Sequence, residues 1–284
     1  MQKVAIITDS IACLPPEMVR QYQLWILPIN LYFGDKVYKD WIDITPTEAY
    51  ELFLKNPKYF ATSAPSPMDC LEAYREASKG IKDILCITVS SKLSMVYQSA
   101  QVAKEQARNE LPRTTIEILD SHTATAAEGF VALAAARVAE EGKSLPEVVR
   151  AAEEMRDNVS TIVLLDTIRY VYRSGRIPKV AARAGSILNL RPLFTVSGEV
   201  HFAGVVRSKE RGVERLLKVM RNKAGLIPVH VAVMHAYALE EAERLKERVS
   251  SEFNCAELWL TEFSPVMGYA CGTGTLGFAF YSGD

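Results

Sequence analysis

Three short runs, Val4 to Thr8, Ile84 to Val89 and Ile116 to Leu119, are apolar almost throughout, and each gives way to a polar loop before a segment of helical period. Strands that read as continuous hydrophobic runs are buried on both faces, as they are in parallel sheets flanked by helices. The first half of the chain is therefore expected to be α/β. Helix starts are written into it as well. Thr45-Pro46-Thr47-Glu48, Ser66-Pro67-Met68-Asp69 and Ser144-Leu145-Pro146-Glu147 each set a hydroxyl three residues before an acid, with proline early in the first turn. A hydroxyl and an acid at that spacing can satisfy each other's backbone N–H groups at a helix N-terminus.

Past Ser160 the pattern changes. Thr161 to Leu165 reads as a strand, and Leu193 to Val196 faces Val200 to Val206 across Ser197-Gly198-Glu199, a hairpin signal. A helix from about Lys209 to Asn222, a strand at Val229 to Met234, a helix from about Leu239 to Ser251, and strands near Ala256 to Thr261 and Thr275 to Tyr281 follow. The expected fold is α/β in two domains. Residues 1–157 form an N-terminal, mostly parallel sheet flanked by helices, and residues 158–284 form a C-terminal mixed or antiparallel α/β domain. A length of 284 residues agrees with this at roughly 150 residues per domain. No repeat or Gly/Ser linker separates the halves, so they are expected to pack closely.

Charge and composition restrict the function classes. Thirty-three basic residues against 34 acidic give a formal charge of -1. No global positive field gathers nucleic acid or an anionic membrane, so any anion has to be held locally. The five cysteines, Cys13, Cys70, Cys86, Cys255 and Cys271, contain no C-x-x-C spacing and read as reduced thiols. The apolar run Val4 to Ile7 is too short for a signal-peptide core. Phe130 to Ala139, interrupted by Arg137, falls far below the ~20 apolar residues of a spanning helix. The cytoplasm is the expected location.

Several motifs dissolve on inspection. Gly272-Thr273-Gly274-Thr275-Leu276-Gly277 fits G-x-G-x-x-G, but a dinucleotide site needs a helix after it and an acid about 20 residues on. A loop feeding a last strand is the better reading. Gly142-Lys143-Ser144 lacks the earlier glycine of a phosphate loop. His122, His201, His230 and His235 show no ligand spacing, so neither a metal nor a cofactor is expected. What remains is hydroxyls where strands hand over to helices: Thr62, Ser63 and Ser66 before one helix, Ser90, Ser91 and Ser94 before another. Unpaired N–H donors at such a helix start, supplemented by hydroxyls, can hold a carboxylate or phosphate. The same serines can equally be plain helix caps. A third reading, from the enzyme class, makes Ser94 the nucleophile of a phosphotransferase or hydrolase on a small anionic substrate, with His122 or Asp120 as base.

Several short segments follow one another along the chain: Thr8-Asp9-Ser10, Thr62-Ser63-Ala64-Pro65-Ser66, Ser90-Ser91-Lys92-Leu93-Ser94, Tyr97-Gln98-Ser99-Ala100, Asp120-Ser121, Ser174-Gly175-Arg176-Ile177, Leu188-Asn189-Leu190-Arg191-Pro192 and Gly272-Thr273-Gly274. Their order and spacing resemble the DegV family of bacterial fatty-acid-binding proteins across nearly the whole chain. The resemblance implies one long-chain fatty acid enclosed between two domains, with its carboxylate held by Thr62 and Ser94 and with Ser63, Ser91, Ala270 and Cys271 close to the ligand. It also implies a carrier with no catalytic residue of its own. A separate ATP-binding fatty acid kinase subunit would be the partner, Arg207 would serve that partnership, and transient membrane contact would be compatible with it. The chain departs from the family at Ala270, where a histidine is usual, at Thr273 in place of a proline, at Met95 in place of a glycine and at Ala64 in place of a glutamine. Arg176 and Arg191, near Arg173, Lys179 and Arg183, read as ion-paired or solvated charges.

Overall fold

A computed structural model describes residues 3–167, 175–176 and 190–283. The chain begins with β1 (Val4–Asp9), a 3-10 turn at Ser10–Ala12, α1 (Pro16–Gln21) and β2 (Trp25–Leu27). Next come β3 (Asn30–Phe33), β4 (Lys36–Lys39), α2 (Pro46–Lys55) and β5 (Phe60–Ser63). α3 (Pro67–Ser78), β6 (Asp83–Thr88), α4 (Val96–Glu110) and β7 (Thr115–Asp120) resume the α/β alternation, followed by α5 (Ala126–Glu140) and α6 (Leu145–Asn158). The remainder comprises β8 (Ser160–Leu164), β9 (Arg191–Ser197), β10 (Glu199–Val206), α7 (Lys209–Ala224), β11 (Val229–His235), α8 (Leu239–Glu252), β12 (Cys255–Glu262), α9 (Pro265–Cys271) and β13 (Leu276–Ser282).

The α/β expectation holds. A four-stranded parallel sheet runs β2-β1-β6-β7, and a six-stranded mixed sheet runs β10-β9-β8-β13-β11-β12. Every residue of β1 is buried, as its unbroken apolar run requires, whereas β7 at the sheet edge alternates exposed and buried positions. The three capping motifs all open helices. The Glu48 carboxylate accepts from Thr45 N–H at 2.9 Å, that of Asp69 from Ser66 N–H at 2.9 Å, and that of Glu147 from Ser144 N–H at 2.9 Å. The Ser197-Gly198-Glu199 turn joins β9 to β10 as an antiparallel hairpin, with Gly198 at φ 72°.

Side-chain alternation explains how the layers stack. In β8, Ile162 and Leu164 pack with α7 and α8, while Val163 and Leu165 face the other way, toward α5. β11 and β13 split likewise, Val231, Val233 and Phe278 to one side and Ala232, Met234 and Ala279 to the other. Val4, Ile6, Leu85 and Ile87 of the parallel sheet also face α5, and Ala5, Ile7, Ile84 and Cys86 face α3 and α4. α5 thus lies between the two sheets. A helix that is hydrophobic nearly all round belongs in an interior, and six of its seven alanines, Ala126, Ala127, Ala132, Ala135, Ala136 and Ala139, are fully buried. Its one basic residue, Arg137, sets Nη2 3.0 Å from both carboxylate oxygens of Glu257 in β12 and packs over the Tyr22 ring, joining the two halves at their rim.

Two features differ from the sequence expectation. Residues 25–63 contain β2 and a separate antiparallel sheet, β4-β3-β5, and α9 stands where only a loop into the last strand was expected. α9 is seven residues long and is capped by Ser264, whose hydroxyl donates to the buried Asp40 at 2.5 Å. Among the described residues no helix is long and apolar enough to cross a membrane.

α9 is pressed against α2 through Gly268, where an added Cβ would lie 2.0 Å from the Tyr50 ring. Tyr50 is buried and its hydroxyl donates to the Phe263 carbonyl at 3.1 Å, so the ring has little room to retreat. Gly268→Ala is expected to cost about 2 kcal/mol through overpacking, read as a lowered melting temperature. An unchanged melting curve would mean that the two helices separate freely.

Candidate functional site

The carboxyl ends of β1, β6 and β7 lead into Ile11, Val89 and Ala124, and these three buried residues form the floor of a cavity of about 530 Å³. Ligand crevices in open parallel sheets lie at that edge, and the volume is within the roughly 300–1,000 Å³ typical of small-molecule sites. The second sheet provides the opposite wall through Val163, Leu165, Phe194, Val196 and Val200, and α9 adds Met267, Ala270 and Cys271. Phe194 and Val163 are cross-strand neighbours on one face, which is why both reach the cavity.

Polarity is segregated along this space. Ile11, Val89, Ala124, Leu165 and Phe194 are each at most 4% exposed. The hydroxyl-bearing lining residues are less buried: Thr62, Ser94, Ser99 and Tyr269 are half-buried, and Ser63 and Ser66 are exposed. Met95, 62% exposed, lines the same mouth. Cys271 contributes a buried thiol whose pKa burial pushes up to about 12, so it is a neutral apolar surface at ordinary pH.

Thr62, Ser63, Ser94, Ala270 and Cys271 are thus brought together, and Ser91 and Arg207 are not among the cavity-lining residues. Ser91 turns its backbone N–H to Asp120, and Arg207 is exposed just beyond β10. The hydroxyls differ in availability. Ser63 Oγ accepts from Asn30 Nδ2 at 3.4 Å and donates to the Ala64 carbonyl at 3.3 Å, so it serves the local chain turn. Ser66 caps α3. Among the described residues the side chains of Thr62 and Ser94 have no hydrogen-bond partner. Ser94 does not cap α4: the N-cap is Met95, without a side-chain hydrogen bond, and the first turn carries no acid. The first N–H groups of this 15-residue helix therefore begin beside Ser94 without a protein anion to meet them.

Arg176 is the residue that pattern reasoning assigned elsewhere. It is the one charged side chain in the lining among the described residues, and its Nε donates to the Leu93 carbonyl at 3.2 Å, directly over the Ser94 loop. Nothing in the surrounding run of basic residues distinguishes it in sequence. Arg191 does pair with an acid, Asp166, at 3.0 Å. Arg173, Ser174, Ile177, Lys179, Arg183, Leu188 and Asn189 lie outside the described residues.

Ser94 and His122 are not assembled as a nucleophile and base. His122 lines a separate polar crevice with Arg156, Ser160 and Lys223, and Asp120 already accepts the N–H groups of Ser91 and His122. Among the described residues no group of three or more His, Cys, Asp or Glu is placed to hold a metal ion.

Behind the cavity wall lie three buried carboxyls. Asp9 is pushed up to about 6 by burial, against the pull of the Val89 and Ile11 N–H groups it accepts. Asp40 is pushed up to about 7 by burial, with the Ser264 hydroxyl opposing, and burial lifts Glu128 well above the ordinary carboxyl range, reinforced by the charge of Asp9. An acid whose folded pKa is raised binds its proton more tightly folded than unfolded. Its contribution is complete below the unfolded value near 4 and is lost as pH rises through the folded value. Stability is therefore expected to increase as pH falls from 8 to 5.5, with a slope of up to about 1.4 kcal/mol per pH unit for each proton. Asp40→Asn should flatten the profile in melting curves taken across that range; a wild-type profile that falls on acidification would contradict the assignment.

The chain is thus an α/β fold with an apolar cavity between its two larger sheets and uncommitted hydroxyls at the mouth. Residues 3–283 match the family model described as "Uncharacterised protein, DegV family", and the chain belongs to the DegV family. It is 32% identical to a DegV domain-containing protein of Streptomyces coelicolor, covering 96% of each chain, and 30% identical to one of Clostridium acetobutylicum, covering 99% of each. Among solved structures it is similar to the Thermus thermophilus DegV family protein described for its fatty acid binding (29% identity, TM-score 0.89, 99% of this chain and 100% of that one). It is also similar to DegV, a fatty acid binding protein from Bacillus subtilis (26% identity, TM-score 0.90, all of both chains).

Proposed function

We propose that this protein is a cytoplasmic carrier of one long-chain fatty acid. In this reading the carboxylate is held at the cavity mouth by the hydroxyls of Thr62 and Ser94, and the acyl chain lies against the buried apolar wall. The segregation of the cavity into an exposed hydroxyl end and a buried hydrocarbon body carries the reading, since it matches an amphiphile and gives a compact polar substrate nothing to bind at depth. Burial contributes about 0.8 kcal/mol per CH₂. A tail of ~14 methylenes thus brings ~11 kcal/mol before ordering and desolvation costs, and the head-group contacts mainly fix orientation. The division near Asp157 is functional in the same sense: residues 1–157 supply the carboxylate-binding loops, and residues 158–284 close over the chain.

The mouth also bears on a partner. A carboxylate between Thr62 and Ser94 lies at the exposed end, where a second protein can reach it. We propose presentation to a separate ATP-binding fatty acid kinase that forms the acyl phosphate, with exposed Arg207 contacting that partner and not the ligand. Arg207→Ala is then expected to leave fatty-acid affinity within about twofold while acyl phosphate formation slows by about tenfold, a loss on the scale of a charge-assisted contact. Equal losses in both assays would place Arg207 at the lipid instead.

Native mass spectrometry of the purified chain is expected to retain an acyl mass, with no turnover by the chain alone. Thr62→Ala and Ser94→Ala should each weaken binding by about tenfold or more, since charge-assisted hydrogen bonds are worth ~1.5–3 kcal/mol, without lowering the melting temperature of the empty protein. A chain that ignores added fatty acid, or a double variant with undiminished affinity, would overturn the assignment. Turnover that requires Ser94 would establish the hydrolase or phosphotransferase reading.

A further inference from the structure

The loop that carries Ser94 is pinned from outside itself. The Val89 N–H donates to Asp9 at 2.8 Å and the Ser90 N–H to the Thr123 carbonyl at 2.8 Å. The Ser91 N–H meets both carboxylate oxygens of Asp120, at 3.2 and 3.3 Å, and the N–H groups of Leu93 and Ser94 fold back on the Ser90 carbonyl at 2.9 and 3.2 Å. The Ser94 hydroxyl therefore points where this backbone sends it.

Asp120, the last residue of β7, does more than hold Ser91. Its Oδ1 also accepts the His122 N–H at 2.9 Å, so one carboxylate ties the β6–α4 loop to the β7–α5 loop. Both loops receive the tip of the β9–β10 hairpin: the Gly198 N–H donates to the His122 carbonyl at 2.5 Å, and the Ser90 hydroxyl donates to the Gly198 carbonyl. That hairpin supplies Phe194, Val196 and Val200 to the cavity. The Asp120 side chain is 14% exposed, and hydrogen bonds from backbone N–H groups to an ionised carboxylate are of the strong kind.

We propose that Asp120 is a positioning residue of the head-group site. Through the Ser91 N–H that it accepts, it aims the Ser94 hydroxyl and the first N–H groups of α4 at the ligand carboxylate. The inference rests on the fatty-acid reading above and adds a residue that touches no ligand atom. An asparagine whose oxygen takes the shared Oδ1 position keeps the His122 N–H but loses the negative charge and turns its NH₂ donor toward the Ser91 N–H, which forfeits the shorter of its two contacts, so the Ser94 loop is held more loosely.

The test compares oleic acid with oleyl alcohol, which share a tail and differ in head charge, by displacement of a fluorescent probe. Asp120→Asn is expected to raise the Kd for the acid about tenfold and to leave that for the alcohol within about twofold. In a Ser94→Ala background the same change should add less than about twofold, because coupled residues are non-additive. Equal losses for acid and alcohol, or full additivity with Ser94→Ala, would reduce Asp120 to a packing role and overturn the proposal. If the asparagine variant does not fold, Asp120→Glu, which displaces the carboxylate by one methylene, is held to the same selective loss. Should Thr62→Ala and Ser94→Ala leave oleate binding intact, the reading of the site fails. Should they weaken it while Asp120→Asn does not, only the present inference fails.

Discussion

The burial of α5 between two sheets along most of its length is the constraint from which the rest follows. A helix that faces a parallel sheet on one side and a mixed sheet on the other has no polar face to offer, and only small side chains let both sheets approach its axis. Its buried alanines meet that demand. The filling ends at the helix N-terminus, where Thr125 turns through φ 65° and ψ -156°, a conformation that persists only where its surroundings enforce it. Ala124, one residue earlier, already lines the cavity. The space for a ligand is thus the gap left where the helix between the sheets stops and only loops continue.

A gap of this kind would fill with water if its walls were polar, and the structure places the polar work behind them. Asp9 accepts from Ile11 and Val89, whose side chains form the cavity floor, and Asp40 accepts from Ser264, which caps the α9 wall. Backbone donors that would otherwise open into the cavity are turned away from it and satisfied. The cost is two carboxyls, Asp9 and Asp40, in a low-dielectric interior, and their raised pKa values record it. An apolar face and a buried acid cluster are therefore two aspects of one arrangement.

What was legible in the sequence was what local periodicity can encode. β1 and β6 showed as unbroken apolar runs, the helices after Thr45, Ser66 and Ser144 as reciprocal hydroxyl–acid caps, and the β9–β10 hairpin as two β-branched stretches around a glycine. The three-stranded sheet was not legible. Its strands are four residues each, and β5 pairs with β3 across some thirty intervening positions, so no window holds the pattern. α9 is too short for a helical period and has a glycine at its centre. Within the site, spacing could not rank the serines: Ser91 and Ser94 share a loop, but only the backbone path shows that Ser91 is turned to Asp120 while Ser94 opens on the cavity. The role of Arg176 was hidden for a related reason, since the sign of a charge says nothing about which surface it faces.

The same geometry divides labour within the proposed binding event. In the proposed reading the carboxylate meets two hydroxyls and the start of one helix, with Arg176 the one charged lining residue among the described ones; this suits one negative charge and falls short of a polyphosphate, which would need several cations to offset its desolvation. Such a site discriminates between head groups without contributing most of the binding energy. In that reading affinity arises from the apolar lining, the floor of Ile11, Val89 and Ala124 and the opposite wall of Phe194, Val163, Leu165 and Met267, from which water leaves on binding. In the proposed reading, head-group selection thus rests on loops of residues 1–157 together with Arg176, and affinity on apolar residues from both halves of the chain. The Gly198 contact that fastens the hairpin tip to the Ser94 loop is where the two are held in register. A ligand with the right tail and the wrong head would still gain most of the burial energy, so rejecting it depends on that register staying tight.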